Sequence, residues 1–156
     1  MTTIAWDGET LSADTRTCIN NIVATEDRTK LFKTSFDKWT VQGKEIIFFG
    51  VAGPTGAEFA IQDLLKVEIN HDTEWAPHLD FTAICVTKFG SIFIIYKDEN
   101  TIYPQVVLKK EPYAIGSGGV IARTAMLCGK TSAEAVGIAK MLDVYSGGQT
   151  ETMGLK

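Results

Sequence analysis

Short apolar segments constrain the fold of this chain more than any other feature of its sequence. Residues 45–51 (EIIFFGV), 81–88 (FTAICVTK) and 91–97 (SIFIIYK) have the length and composition of strands buried in a sheet. None approaches the roughly 20 apolar residues that a membrane-spanning helix requires. The sequence therefore predicts a protein built around buried strands, with no membrane partner.

Turn-forming residues divide the rest of the chain into further elements. Asp7-Gly8 is a favoured hairpin turn, and Gly43 also marks a turn between strands. A helix is predicted from Pro54 to about residue 69, with Phe59 in its apolar stripe. The predicted strands are bounded by Gly, Asp or Asn and lie at 2–6, 10–13, 29–36, 45–51, 81–88, 91–97 and 101–107.

The last third of the chain predicts two consecutive helices. The Gly-rich stretch AIGSGG (114–119) leads into the first helix, with Ser117 as its expected N-cap and Gly129 as its C-cap. Thr131 and Glu134 form a Thr-x-x-Glu capping box that opens the second helix. Strands, a helix, strands and two helices, in that order, predict one α+β domain over residues 1–156.

Composition and charge exclude several functions. The net charge is −4, and the 15 basic residues form no stripe that could follow a nucleic-acid backbone. Three unevenly spaced cysteines predict reduced, mostly buried thiols. The two histidines, His71 and His78, have no metal-ligand spacing with carboxylates, so neither a metal nor a cofactor is predicted. The chain begins without a signal peptide, and we therefore expect a cytoplasmic protein.

Three features at separate positions together indicate one type of catalysis. Removal of Met1 would make Thr2 the N-terminal residue, with its hydroxyl and a free α-amine on the same residue. That amine has a solution pKa of about 7.7 to 8.0 and can act as a general base at neutral pH. A nearby ammonium, such as that of Lys30, would favour the deprotonated hydroxyl, and an Asp would hold the ammonium in place. The Gly-Ser-Gly turn offers backbone N–H groups at a helix start.

Each feature also has an ordinary structural interpretation. A lysine such as Lys30 within a strand pattern is usually solvated, and Asp14 at the end of a short strand is usually a turn residue. AIGSGG matches neither a phosphate loop nor a dinucleotide fingerprint, and on its own it indicates helix capping. Only the combination favours a catalytic site.

The combination resembles the proteasome β-subunit class of N-terminal nucleophile (Ntn) hydrolases. TTIAWDGETLSADTR resembles the family's first two strands, which implies that Thr2 is the nucleophile and Asp14 its acidic partner. Lys30, in RTKLF, resembles the catalytic lysine by its spacing and by the apolar residues that follow it. Lys33 and Lys38 are nearby alternatives.

Three later segments extend the resemblance along most of the chain. FFGVAGPTGAEFA implies that the Gly53 N–H forms the oxyanion hole and that Val51 faces a specificity pocket. YAIGSGGVIARTAM implies that Ser117 lies beside the amine of the nucleophile. LDVYSGG reproduces an Asp-x-x-Ser-Gly-Gly signature, in which Asp143 and Ser146 are the supporting pair.

The resemblance implies a fold, an activity and an assembly. The fold is a four-layer αββα sandwich of two antiparallel sheets, and the activity is that of a threonine peptidase, once Met1 is removed. The expected assembly is a homo-oligomeric ring, which in some relatives works with an ATPase unfoldase. Short bacterial and bacteriophage members are the most similar, so the host cytoplasm is the expected location if a phage encodes the chain. The alternatives are a non-catalytic ring-forming or binding protein and a small-amide hydrolase.

Overall fold

Antiparallel strands dominate a computed structural model of the protein, which describes residues 2–76 and 78–155. In chain order the elements of these residues are β1 (Thr3–Trp6), β2 (Thr10–Asp14), β3 (Thr17–Ile19), β4 (Ile22–Thr25), β5 (Leu31–Lys33), β6 (Trp39–Val41), β7 (Lys44–Ala52), α1 (Ala57–Leu65), β8 (Phe81–Thr87), β9 (Ile92–Lys97), β10 (Gln105–Lys109), β11 (Tyr113–Gly116), α2 (Gly119–Leu127), α3 (Ser132–Leu142) and β12 (Thr150–Gly154).

The chain divides into two compact units. Unit 1 comprises the described residues of 1–31 and 111–156, and unit 2 comprises those of 32–110. The prediction of a single domain over 1–156 stays a prediction. None of the helices within residues 2–76 and 78–155 is long and apolar enough to cross a membrane.

Unit 1 contains a four-stranded antiparallel sheet in the order β11-β1-β2-β12, and a separate hairpin formed by β3 and β4. Asp7 makes the tight turn between β1 and β2, because its carboxylate accepts the amides of Glu9 and Thr10 at 2.9 and 2.8 Å. Gly8 supplies the positive φ of 106° that the turn needs. The predicted first hairpin is confirmed.

Helices α2 and α3 pack on this sheet through small side chains, among them Ala5, Ala122, Ala135 and Ala139. The predicted capping box at the start of α3 is confirmed, with Thr131 and Glu134 bonded reciprocally. At the end of α2, the N–H of Gly129 donates to Met126 O and that of Lys130 to Ala125 O, which is a Schellman motif.

The N-cap prediction for α2 is wrong. Gly118, not Ser117, occupies the N-cap position, and no side chain caps the helix. The hydroxyl of Ser117 donates to Asp143 instead. Ser117 cannot be the N-cap because α2 begins at Gly119, which leaves Ser117 one residue before the N-cap position.

A six-stranded sheet has the order β10-β9-β8-β7-β5, with β6 paired to β7, and its residues from Phe32 onward belong to unit 2. The pairs β10-β9, β9-β8, β8-β7 and β7-β6 are antiparallel. The core of unit 2 includes the aromatic residues Trp39, Phe49, Phe81 and Phe93 together with the buried face of α1. Helix α1 begins at Ala57 and not at Pro54.

Several sequence predictions for individual segments are wrong. The strand expected at 29–36 is limited to β5, and the strand expected at 101–107 begins only at Gln105. Phe59 is 66% exposed on the outer face of α1, because the buried stripe of the helix is carried by Ala57, Ile61 and Leu65, which lie on the opposite face. Among the cysteines only Cys85 is buried, since Cys128 lies at the exposed end of α2.

Candidate active site

Asp14 lies at the centre of a buried polar cluster in unit 1. It is the last residue of β2, a strand that is paired on both sides, and it is fully inaccessible to solvent. Its Oδ1 accepts the backbone N–H of Thr3 at 2.9 Å, and its Oδ2 accepts those of Gly147 at 3.0 Å and Arg16 at 3.3 Å. These donors satisfy a carboxylate that would otherwise be costly to bury.

Lys30 supplies the charge opposite Asp14. Its Nζ lies 2.8 Å from Asp14 Oδ1 and also donates to the carbonyl oxygen of Arg16 at 2.5 Å. The side chain is 5% exposed, and burial lowers the pKa of this lysine, while the adjacent carboxylate of Asp14 acts in the opposite direction. The alternatives Lys33 and Lys38 are both exposed.

Thr2 is buried immediately before β1, with 4% of its surface accessible. Its carbonyl oxygen accepts the N–H of Gly118 at 3.4 Å and lies 3.4 Å from the hydroxyl of Ser117. The next residue, Thr3, shares the Asp14 oxygen with Lys30, so the ammonium lies next to the beginning of the strand. Met1, whose removal the sequence hypothesis requires, lies outside the described residues.

The glycines of AIGSGG allow this close approach to the first strand. A Cβ on Gly116 would overlap the carbonyl group of Thr2, and Gly116 has a φ of +91°. A Cβ on Gly118 would overlap Thr3 Oγ1. The two glycines therefore let the backbone lie against residues 2 and 3, where any other side chain would push it away.

A chain of hydroxyl groups connects Asp143 with β1. Asp143 Oδ2 accepts the hydroxyls of Ser117 and Ser146, both at 2.6 Å. Ser146 Oγ lies 2.7 Å from Thr3 Oγ1 and has only one proton to give, so the hydroxyl of Thr3 donates to Ser146. Burial opposes ionisation of Asp143, but the hydrogen bonds from Ser117, Ser146 and the Tyr145 amide outweigh it and lower its pKa.

The Ser-Gly-Gly turn is held against β2 by Arg16. The carbonyl of Gly147 accepts the N–H groups of Thr15 and Arg16, both at 3.1 Å. The guanidinium of Arg16 lies where a Cβ of Gly147 would be, and it bonds to Glu26 and to the carbonyl of Val144. This arrangement aims the Gly147 N–H at Asp14 and explains why glycine stands at that position.

Gly53 and Val51, the remaining predicted site residues, belong to unit 2. Gly53 follows β7, and a Cβ there would lie 2.8 Å from Phe81 Cβ and 3.0 Å from Asp80 O, so only glycine fits. Val51 is 8% exposed and belongs to the hydrophobic cluster of unit 2. The oxyanion and specificity roles of these two residues stay predictions.

The structure brings together Thr2, Asp14, Lys30, Ser117, Asp143 and Ser146 within unit 1. Sequence reasoning missed Thr3, Arg16 and Glu151, which bond to this cluster. The alternating pattern of β1 could have indicated an inward Thr3, and the position of Arg16 next to Asp14 and Gly147 appears only after folding.

Within residues 2–76 and 78–155, no three or more His, Cys, Asp or Glu side chains are grouped so as to hold a metal ion.

Comparison with known proteins relates this chain to others through its fold. No protein-family model matches the sequence, and no curated protein does. The structure of BPH, a bacterial proteasome homologue from Thiobacillus denitrificans, in complex with epoxomicin is similar with a TM-score of 0.66 and 16% identity, over 99% of this chain and 98% of that chain. A second structure of BPH gives a TM-score of 0.64 and 17% identity over the same shares. The chain therefore has a proteasome-like fold.

Proposed function

We propose that the protein is a threonine-type Ntn amide hydrolase, and specifically a peptidase. The observation that supports this most directly is the shared Asp14 oxygen, which binds the Lys30 ammonium and the amide of Thr3 at the start of the chain. The similarity to BPH, which binds epoxomicin, agrees with it. Catalysis begins after removal of Met1, which leaves Thr2 with a free α-amine.

In the proposed reaction, the Thr2 hydroxyl attacks the carbonyl carbon of a peptide bond. The amine of Thr2 takes the hydroxyl proton and then gives it to the leaving amine as the C–N bond breaks. Water subsequently hydrolyses the ester that remains on Thr2, and the amine again serves as base. The N–H of Gly53 stabilises the oxyanion in both steps, an interaction that typically contributes about 3 to 4 kcal/mol.

Lys30 and Ser117 have different parts in this reaction. The ammonium of Lys30 stabilises the Thr2 alkoxide, because opposite charges attract. It also opposes protonation of the α-amine, because a second positive charge beside it would be repelled. Burial lowers the pKa of Lys30 and favours its neutral form, whereas the contact with Asp14 favours the charged form. Ser117, held by Asp143, lies beside the nucleophilic residue and orients it.

The proposal also covers the layer arrangement of the fold, the oligomeric assembly and the cellular location. We assign the protein to the four-layer sandwich arrangement of Ntn hydrolases, to a homo-oligomeric ring and to the short bacterial and bacteriophage type. The cytoplasm is its proposed location, and an ATPase unfoldase is its proposed partner. The similarity of the fold to a proteasome homologue supports a ring assembly in general.

A first experiment combines intact mass with a substitution at Thr2. We expect purified protein to have the mass of the chain beginning at Thr2 and to hydrolyse fluorogenic peptide amides. Thr2→Ala should abolish this turnover, because the attacking hydroxyl is lost. Thr152→Ala, on an exposed position of β12, is the matched control and should retain the wild-type rate.

Labelling with a threonine-directed epoxyketone provides a second measurement on the same variants. The wild-type protein and Thr152→Ala should gain the mass of one reagent per chain, and Thr2→Ala should gain none. Turnover or labelling that survives in Thr2→Ala would overturn Thr2 as the nucleophile. A native population that retains Met1 would favour the non-catalytic alternative.

A further inference from the structure

Lys30 is held to unit 1 by a side chain of another strand. It directly precedes Leu31, the first residue of β5. The segment before it is joined to the rest of the unit by the N–H of Arg28, which donates to Thr15 O at 2.9 Å. This bond fixes the chain two residues before Lys30.

Glu151 of β12 binds the backbone at this lysine. Its Oε1 accepts the backbone N–H of Lys30 at 2.5 Å and that of Leu31 at 3.0 Å. A single carboxylate oxygen thus binds two consecutive amides and fixes the direction in which the chain passes. Charge-assisted hydrogen bonds of this kind are roughly twice as strong as neutral ones.

The register of β12 connects this contact with Asp14. Glu151 pairs with Ala13 of β2, and its neighbour Thr150 pairs with Asp14. The same strand pair therefore positions both members of the ion pair, Asp14 through its backbone and Lys30 through the carboxylate of Glu151. A shift of Lys30 relative to β12 would break its 2.8 Å contact with Asp14.

We propose that Glu151 is a positioning residue of the active site, which fixes the backbone of Lys30 so that its ammonium meets Asp14 beside Thr2. This inference rests on the proposed function, because it assigns Glu151 a role in the reaction of Thr2. Glu151 acts through Lys30 and has no contact with substrate in this scheme.

The charge of Glu151 also acts on Lys30. The charged groups that face Lys30 are Asp14 from β2, Arg28 from its own segment and Glu151 from β12. Burial lowers the pKa of Lys30 and Arg28 acts in the same direction, whereas Asp14 and Glu151 act to raise it. Replacing Glu151 by a neutral side chain should therefore lower the pKa of Lys30 and move the alkaline limit of activity to lower pH.

Two substitutions separate positioning from charge. Glu151→Gln keeps an oxygen that can accept both amides, so we expect kcat near neutral pH to stay close to the wild-type value. The alkaline limit of activity of Glu151→Gln should move to lower pH. Glu151→Ala removes the acceptor, and kcat should fall about 10- to 100-fold with little change in KM, as expected for a misplaced catalytic group. Glu9→Ala, an exposed position of the same unit, is the control.

The outcome distinguishes this inference from the proposed function. If wild-type protein shows no turnover that depends on Thr2, the proposed function fails. The titration of Lys30 Nζ, followed by NMR in wild type, Glu151→Gln and Glu9→Ala, then still tests the role of Glu151 without activity. An unchanged Lys30 titration in Glu151→Gln, or a wild-type kcat in a folded Glu151→Ala, would overturn the inference. If Glu151→Ala does not fold, the inference is tested by Glu151→Gln alone, through the pH dependence of its activity and the titration of Lys30 Nζ.

Discussion

Asp14 shows how one buried side chain can join stability and chemistry. Its carboxylate is fully inaccessible, and its compensation comes from one ammonium and three backbone amides that belong to separate segments of the chain. An ion pair of this kind contributes little net stability, but loss of one partner leaves an uncompensated buried charge. Lys30 is therefore required by the fold as well as by the proposed reaction.

Replacement of Lys30 should make this dependence measurable. We expect Lys30→Met to reduce the free energy of unfolding by about 3 to 5 kcal/mol, because Asp14 would remain charged and buried. Urea denaturation followed by circular dichroism measures the change. Lys33→Met, at an exposed position of β5, should leave the midpoint unchanged. Equal midpoints for both variants would contradict the structural role of the Asp14–Lys30 pair.

The carboxyl of Asp143 should impose a pH dependence on stability. Its pKa lies below the ordinary value of 3.8, because hydrogen bonds from Ser117, Ser146 and the Tyr145 amide outweigh the effect of burial. A lowered folded-state pKa stabilises the protein above the unfolded value, and this stability is lost as pH falls through the folded value. Asp143→Asn should therefore be less stable than wild type at about pH 6, and the difference should narrow by about pH 3.

Chemical denaturation at several pH values tests this expectation. The exposed variant Asp27→Asn is the control and should follow the wild-type pH dependence. A difference in the free energy of unfolding between wild type and Asp143→Asn that stays constant across the acid range would contradict this expectation. It would show that the surrounding hydroxyls do not stabilise the ionised form of Asp143.

Glycine has different roles in α2 and α3. Gly118 begins α2 against Thr3, where a Cβ would overlap the hydroxyl oxygen, whereas Gly137 lies inside α3 with open space around it. We expect Gly118→Ala to cost about 1 to 3 kcal/mol through overpacking. Gly137→Ala should stabilise the protein by about 0.5 to 1 kcal/mol, because alanine is the better helix former.

Thermal unfolding of both glycine variants measures these changes, and each variant is the control for the other. Activity provides a second readout, since Gly118 is adjacent to Ser117 and its N–H donates to Thr2 O. A stable, fully active Gly118→Ala would contradict the close approach of AIGSGG to β1.

The sequence predicted elements well where local chemistry determines them. The hairpin turn at Asp7-Gly8 and the capping box at Thr131 depend on neighbouring residues, and both are confirmed. Strands β11 and β12 were missed because their sequences, YAIG and TETMG, contain glycine and polar residues. They form strands because β1 and β2 offer partners, which is a tertiary effect that local patterns do not contain.

At the level of the whole molecule, the candidate site joins residues that are far apart in the chain. Thr2, Asp14 and Lys30 come from the first segment, whereas Ser117 and Asp143 come from the last segment. The family resemblance could name these residues, because each lies in a short recognisable motif. No such motif marks Glu151, and its contact with the amides of Lys30 and Leu31 exists only once β12 pairs with β2.

The surface of unit 1 bears on the proposed homo-oligomer. Helices α2 and α3, and the segment just after α3, carry large apolar side chains that are at least two thirds exposed. They are Val120, Leu127, Met141, Leu142 and Val144. Exposed apolar surface of this kind is typical of sites where another protein binds. We expect it to be buried between copies of the chain in solution.

Native mass spectrometry should therefore show a wild-type assembly of several identical chains, and a charge on this surface should weaken it. In Leu127→Lys and Met141→Lys the mass should shift toward that of one chain, because an unpaired ammonium is costly to bury at an interface. Val67→Lys, which replaces an equally exposed apolar side chain in unit 2, is the matched control and should keep the wild-type mass. A monomeric wild-type protein would contradict the proposed ring. An assembly that tolerates both α2 and α3 substitutions would place the contacts between copies elsewhere.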